Sequence, residues 1–131
     1  MRFRFRPTIV ASAHCDLPCS VYDPAQARIE AESILAIQKK YADSDDLEFR
    51  TRAIVIKEQR SQLVKEHLWV LWTDYFKPPM VEAHPEIHDL VWRATKAAGA
   101  AGTKGSMDPA SGQELLDLID QIAAIFADTK K

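Results

Sequence analysis

Residues 113–128 read QELLDLIDQIAAIFAD, and their apolar side chains recur with the 3.6-residue period of an α-helix. One face of this helix is therefore apolar and must be buried against other elements. No segment of the sequence alternates with the two-residue period of a half-buried strand. The stretch therefore decides the class: the protein is all-α. The apolar positions are Leu115, Leu118, Ile119, Ile122, Ile125 and Phe126.

Three more helices are predicted upstream of this stretch. Asp23-Pro24 begins the first helix, which runs to about Tyr41, because Asp accepts from free amides and Pro suits the first turn. The second, about Leu47 to Tyr75, ends at Lys77-Pro78-Pro79. His84-Pro85 opens the third, and a loop at residues 103–112 precedes the last. Four helices with short connections predict an antiparallel up-down four-helix bundle with an irregular N-terminal hook.

The second helix has a predicted inward register that includes one cation, Arg60. The charged stretches Asp43–Glu48 and Lys57–Arg60 are otherwise interpreted as solvated faces. His84 and His88, four residues apart, are interpreted as a helix start and a surface residue rather than a metal site. The inward positions are Phe49, Ala53, Ile56, Arg60, Leu63, Val64, His67, Leu68, Leu71 and Tyr75.

Length and charge limit the classes of function. The 131 residues suit a single domain, and a net charge of −2 leaves no basic stripe for nucleic acid. No apolar run approaches the length that spans a bilayer. We therefore expect no nucleic-acid partner and no membrane partner.

Residues 1–13 have the composition of a removable leader. Three arginines precede a short apolar patch that ends in Ala11-Ser12-Ala13, a run of small residues that peptidases cut. The patch is shorter than the apolar core of an export signal, which favours a pro-segment and a cytoplasmic protein. Residues 14–131 would then be the folded domain, with a hook at residues 14–22.

The only two cysteines, Cys15 and Cys19, have a C-x3-C spacing that fits neither a disulfide framework nor a C-x-x-C motif. If the chain begins at His14, its α-amine, the Cys15 amide nitrogen and the two thiolates supply four donors in a plane. Such nitrogen-rich tetragonal sites favour Ni(II) or Cu(II) over Zn(II), and the His14 imidazole can reach the axial position. Thiolates and a deprotonated amide also stabilise trivalent nickel, which suits one-electron chemistry.

The motif H-C-x-x-P-C-x-x-Y at His14–Tyr22 resembles the hook of the nickel-containing superoxide dismutases. The resemblance continues through residues 23–30, 51–60 and 74–79, and it covers the chain from residue 14 to the C-terminus. One departure is Ser20, where the family often has Gly.

The resemblance implies a homohexamer of four-helix bundles that converts two superoxide ions and two protons to dioxygen and hydrogen peroxide by Ni(II)/Ni(III) cycling. It also implies a maturation protease that removes the leader before nickel binds. Protons would come from water ordered by the site tyrosines or from a nearby thiolate. One nickel ion per subunit would be bound by the metal ligands His14, Cys15 and Cys19.

The resemblance also assigns roles to residues around the metal. Glu30 and Arg60 would hold the His14 imidazole. Tyr22 and Tyr75 would line the approach to the metal, and Lys77 would attract the anion. Further assignments are Asp16 and Pro18, which would shape the hook, and Val21, which would crowd the open axial face.

Two other functions stay open at this point. A protein that binds nickel or copper without turnover would need the same ligands but not Tyr22, Tyr75 or Lys77. A helical interaction module would instead join Cys15 and Cys19 in a disulfide.

Overall fold

The computed structural model describes residues 21–131, so the leader and the hook residues 14–20 lie outside the described part. Residues 21–131 contain helices and no strand. None of these helices is long and apolar enough to cross a membrane. The elements are α1 (Ala25–Ala42), α2 (Leu47–Val70), a π-helical turn (Leu71–Tyr75), α3 (Pro78–Ala83), α4 (Ile87–Ala97) and α5 (Pro109–Asp128).

The four long helices close into a ring in which α1 packs on α2 and α5, and α4 packs on α5 and α2. Short connections join them, so that neighbours in sequence run antiparallel. This arrangement confirms the predicted four-helix bundle. The prolines at 78 and 79 end the second helix as expected and also begin α3, a short helix in the α2–α4 connection that the sequence pattern did not reveal.

Aspartate side chains begin three of the helices. The carboxylates of Asp23, Asp46 and Asp108 accept from the amides two residues ahead at 2.8, 3.2 and 2.9 Å. Each bond satisfies an amide that has no partner within its helix. Because Asp108 caps and Pro109 occupies the first turn, α5 begins at Pro109 and not at the predicted Gln113.

The core lies between α5 and the faces of α1, α2 and α4. Helix α5 contributes every apolar position predicted for it, together with Leu116. Burying a large apolar side chain contributes roughly 1.5–3 kcal/mol, so this face dominates the stability of the bundle. The buried apolar residues of the other helices are Ala27, Ala31, Ile34, Ala53, Val64, Leu68, Ile87, Leu90, Val91 and Ala94.

The predicted inward register of α2 is correct at Ala53 and in the second half of the helix, where Val64 and Leu68 are buried. It is wrong at Phe49 and Ile56, which are each 36% exposed, and at Arg60, which is half-exposed. Lys57 and Ser61 are buried in place of Ile56 and Arg60. Small or polar side chains face the bundle here because the α4–α5 loop brings hydrogen-bonding groups against α2.

Lys57 is the centre of this polar contact, although its charge predicted a solvated face. It is 1% exposed, and its Nζ donates to the carbonyl oxygens of Lys104 at 2.8 Å and Ser106 at 2.9 Å. Burial lowers the pKa of Lys57. Beside it, the hydroxyls of Ser61 and Thr103 lie 2.7 Å apart. Lys57 therefore fastens the loop that leads into α5.

We expect Lys57→Met to lower the free energy of unfolding by about 1–3 kcal/mol, because the Lys104 carbonyl loses its donor and the Ser106 carbonyl keeps only the bond from Gln38 Nε2 at 3.2 Å. The measurement is urea unfolding followed by circular dichroism. Lys65→Met, on the same helix, is the matched control, since Lys65 only lies 5.6 Å above the Trp69 ring. Equal losses in the two variants would contradict the anchoring role of Lys57.

Candidate active site

Two tyrosines meet at one end of the bundle. The Tyr22 and Tyr75 rings lie edge to face, with centroids 6.3 Å apart. Tyr75 is buried and also packs against Phe76 at 5.2 Å and Phe126 at 4.6 Å. The rings form one wall of a cavity of about 310 Å³, which we call the Tyr22–Tyr75 cavity. Its lining residues are Tyr22, Asp74, Tyr75, Lys77, Met80, Thr129 and Lys130.

Local sequence explains how Tyr75 reaches this cavity. The last turn of the second helix, Leu71–Tyr75, is π-helical, a wider turn that recurs at functional sites. Pro78 and Pro79 then stop any continuation, and Lys77 follows in extended conformation at the start of α3. The predicted neighbours Tyr22, Tyr75 and Lys77 are therefore brought together. Sequence periodicity gave no signal for Thr129 and Lys130, which follow the last helix.

Tyr22 also borders a second cavity, of about 220 Å³, between the start of α1 and the end of α2. His67 and Gln26 line it from the two helices, and Val21 lies at its edge with its side chain largely exposed. The sequence placed His67 on the inward face but gave it no function. Its position beside Tyr22 is a consequence of how α1 and α2 pack.

Glu30 and Arg60 form an ion pair across the same α1–α2 groove. The Arg60 guanidinium donates to Glu30 Oε2 at 2.8 Å, and the two side chains are 42% and 13% exposed. Glu30 follows Gln26 by four residues and therefore lies on the same face of α1. The pair is thus about one helical turn along the groove from the second cavity.

The histidines at 84 and 88 have protein partners of their own. His84 Nε2 lies 3.1 Å from Asp128 Oδ2, and His88 Nδ1 accepts from the Trp72 indole at 2.8 Å. Within residues 21–131, no three His, Cys, Asp or Glu side chains are grouped closely enough to hold a metal ion.

The predicted ligands His14, Cys15 and Cys19 lie outside the described residues, as do Asp16, Pro18 and Ser20. Their chemistry nevertheless fits nickel: two thiolates, an imidazole and, if the chain begins at His14, a free amine would form a nitrogen and sulfur donor set. Cys19 comes three residues before Tyr22 in the sequence, so this donor set is joined covalently to the wall of the Tyr22–Tyr75 cavity.

Known proteins match the chain along almost its whole length. The family model for nickel-containing superoxide dismutase matches residues 9–130. The enzyme named superoxide dismutase [Ni] from Streptomyces seoulensis is 64% identical over 97% of this chain and 95% of its own length. Its counterpart from Streptomyces coelicolor is 62% identical over the same shares.

Solved structures agree with the sequence matches. A native nickel superoxide dismutase structure at 1.30 Å has a TM-score of 0.84 and 63% identity, and it covers 90% of this chain and 100% of its own. A metal-free form of the enzyme has a TM-score of 0.80 and 61% identity, and the match covers 84% of this chain and 97% of that chain.

The helical bundle, the aromatic cavity and these matches define a metal-dependent oxidoreductase. The chain belongs to the nickel-containing superoxide dismutase family. Nickel is its cofactor and superoxide is its substrate. A binding protein without turnover, the alternative interpretation of the same ligands, is not supported by the family membership.

We expect a double-mutant cycle of Glu30→Gln and Arg60→Met to give a coupling energy of about 1 kcal/mol, because Glu30 is largely shielded from water. Urea unfolding of the four proteins measures it. The control is the Arg93–Asp89 pair, which is 3.6 Å apart and well exposed, and should give about 0.3 kcal/mol. A coupling energy no larger than that of the control would show that the Glu30–Arg60 pair is not a fixed structural unit.

Proposed function

We propose that residues 14–22 form the nickel hook of this superoxide dismutase and that the Tyr22–Tyr75 cavity is the approach of the substrate. One nickel ion per subunit would be held by the amine and imidazole of His14, the amide and thiolate of Cys15, and the thiolate of Cys19. One observation carries the proposal: Tyr22, close to the ligands in sequence, forms the cavity wall together with Tyr75.

When bound, nickel supplies one-electron chemistry, so that one superoxide is oxidised to dioxygen and a second is reduced and protonated to hydrogen peroxide. The side chains of the protein bind and orient the superoxide anion. Lys77 lies at the cavity rim, where its ammonium group attracts an anion. Tyr22 and Tyr75 narrow the cavity and order water in it. Two protons are consumed in each cycle, and this water would pass them from the bulk solvent to the site.

Glu30 and Arg60 are proposed to hold the His14 imidazole. A metal-bound histidine commonly donates its second ring nitrogen to a carboxylate, which fixes the orientation of the ring. Glu30 offers such a carboxylate, and Arg60 restrains it at 2.8 Å. The groove that contains this pair leads to Tyr22, which supports the assignment.

Residues 1–13 are proposed to be a leader that a maturation protease removes, and 14–131 to be the mature domain. Residues 14–131 are nine-tenths of the sequence, and the native nickel superoxide dismutase structure matches the same share, 90%, of this chain. Because the leader lacks the apolar length of an export signal, we assign the enzyme to the cytoplasm.

Retaining the leader should reduce the rate of superoxide removal by on the order of a hundredfold or more. Loss of a residue that supports a metal ligand typically costs about 10- to 100-fold in metal affinity or activity, and loss of the ligand itself costs more. Metal analysis and pulse radiolysis of the full-length and processed proteins measure nickel content and activity. Processed Cys19→Ser should hold no nickel, whereas His88→Gln, outside the hook, should hold a full equivalent.

Equal activity of the full-length and processed proteins would refute the amine ligand. Processed protein that holds nickel without removing superoxide would refute the catalytic role of the site and indicate a metal carrier.

The subunits are proposed to assemble as a homohexamer. Helix α2 exposes apolar side chains on its outer side: Leu47 is 79% exposed and Val55 is 52% exposed. Ile54 lies beside Val55 along the same shallow groove. An exposed patch of this kind on a small protein commonly marks a protein interface.

Light scattering of the purified protein should give six times the subunit mass, which is 14.8 kDa for the full chain. Val55→Glu should lower the mass to that of smaller species, because a buried unpaired carboxylate is costly. Ala124→Glu, which adds the same charge on an exposed position of α5, is the control. A Val55→Glu protein of unchanged mass would place the interface elsewhere.

A further inference from the structure

Thr129 and Lys130, the two residues after α5, are fixed in place at the Tyr22–Tyr75 cavity. The backbone amide of Thr129 donates to Ile125 O at 3.1 Å. The preceding residue, Asp128, is held by Lys131 at 2.9 Å and by His84 at 3.1 Å. Neither Thr129 nor Lys130 belongs to the proposed hook or its supporting pair, yet both line the cavity.

The hydroxyl of Thr129 determines the direction of the Tyr75 hydroxyl. Thr129 Oγ1 lies 2.7 Å from Phe126 O, and since a carbonyl only accepts, the single proton of Thr129 is used there. Tyr75 Oη lies 2.7 Å from the same Thr129 oxygen. The proton in this second contact must therefore come from Tyr75. The phenol oxygen of Tyr75 is left to offer only lone pairs to the cavity.

A phenol held in this way accepts hydrogen bonds from water and repels an anion. The anion must therefore be attracted by the cations of the cavity. Lys77 and Asp74 have opposite charges, so the two together add no net charge to the lining. Lys130 adds the charge that makes the lining positive, and its Nζ lies 5.0 Å from the centroid of the Tyr75 ring. Within residues 21–131, neither lysine forms an ion pair.

We propose that Thr129 and Lys130 complete the path by which an anion approaches this site. Lys130 supplies the net positive charge of the lining. Thr129 accepts the hydrogen bond that the Tyr75 hydroxyl donates, so that the phenol oxygen presents only lone pairs to the cavity. The inference rests on the proposed function only in taking the anion to be superoxide. Lys130 would contact the substrate, whereas Thr129 is a positioning residue that acts through Tyr75.

Azide, a small monovalent anion, tests both parts on the processed, nickel-free protein. Two-dimensional NMR follows the ε-methylene signals of Lys77 and Lys130 during the titration. Lys130→Gln should weaken azide binding by about threefold or more, the effect of one charge acting over several ångströms of partly hydrated space. The control is Lys39→Gln, which removes the same charge from an exposed position near the end of α1 opposite to Tyr22 and should leave the affinity within experimental error. Equal losses in the two variants would refute a specific role for Lys130.

Thr129→Val frees the Tyr75 hydroxyl to donate to the anion, so azide should bind about threefold more tightly. Thr129→Ser should behave as the unmodified protein, and adding Tyr75→Phe to Thr129→Val should abolish the gain. Unchanged affinity in Thr129→Val would refute the fixed direction of the Tyr75 hydroxyl. Thermal unfolding establishes that each variant is folded.

In the nickel-loaded enzyme, Lys130→Gln should lower the rate constant for superoxide about twofold at low ionic strength, and the difference should vanish in high salt. A rate difference that persists in high salt would refute steering by Lys130. Because the azide titration contains no nickel, an inactive enzyme with the expected azide affinities would refute the proposed function and leave this inference intact. Active enzyme whose variants bind azide as tightly as the unmodified protein would refute this inference and leave the proposed function intact.

Discussion

The packing of α5 against α1 and α4 is the constraint on which the rest of the structure depends. Its apolar face is buried along its whole length, and the end of that face places Phe126 beside the Tyr75 ring, with centroids 4.6 Å apart. The hydroxyl of Thr129 follows one turn later at 2.7 Å from Tyr75. The geometry of the Tyr22–Tyr75 cavity therefore depends on hydrophobic burial, and the polar contacts refine it.

Features encoded by neighbouring residues could be predicted from the sequence. The 3.6-residue period of α5 and the start of the first helix at Asp23-Pro24 depend on local chemistry, and both are confirmed. The family, the nickel cofactor and the reaction could also be predicted, because the hook motif concentrates unusual donors in nine residues. Position-specific roles of His14, Cys15 and Cys19 remain proposals, since those residues lie outside the described part.

Features that depend on distant parts of the chain could not be predicted. Lys57 has the sequence context of a solvated charge, and only the carbonyls of the α4–α5 loop, 47 and 49 residues away, make its burial favourable. Because Lys57 takes the inward position in this part of α2, the neighbouring Ile56 is left 36% exposed. Lys130 was missed for a similar reason, because no periodicity indicates that a residue after the last helix meets the end of the second.

The π-helical turn at Leu71–Tyr75 holds one more residue in its turn than the α-helix that precedes it. Loss of a single codon within the turn would therefore be absorbed, because the turn would tighten to an α-helix and the residues beyond it would keep their orientation. The same loss in the middle of α2 would rotate everything beyond it by about 100° around the helix axis. The fold should therefore tolerate a change in the length of the gene better at this turn than along α2.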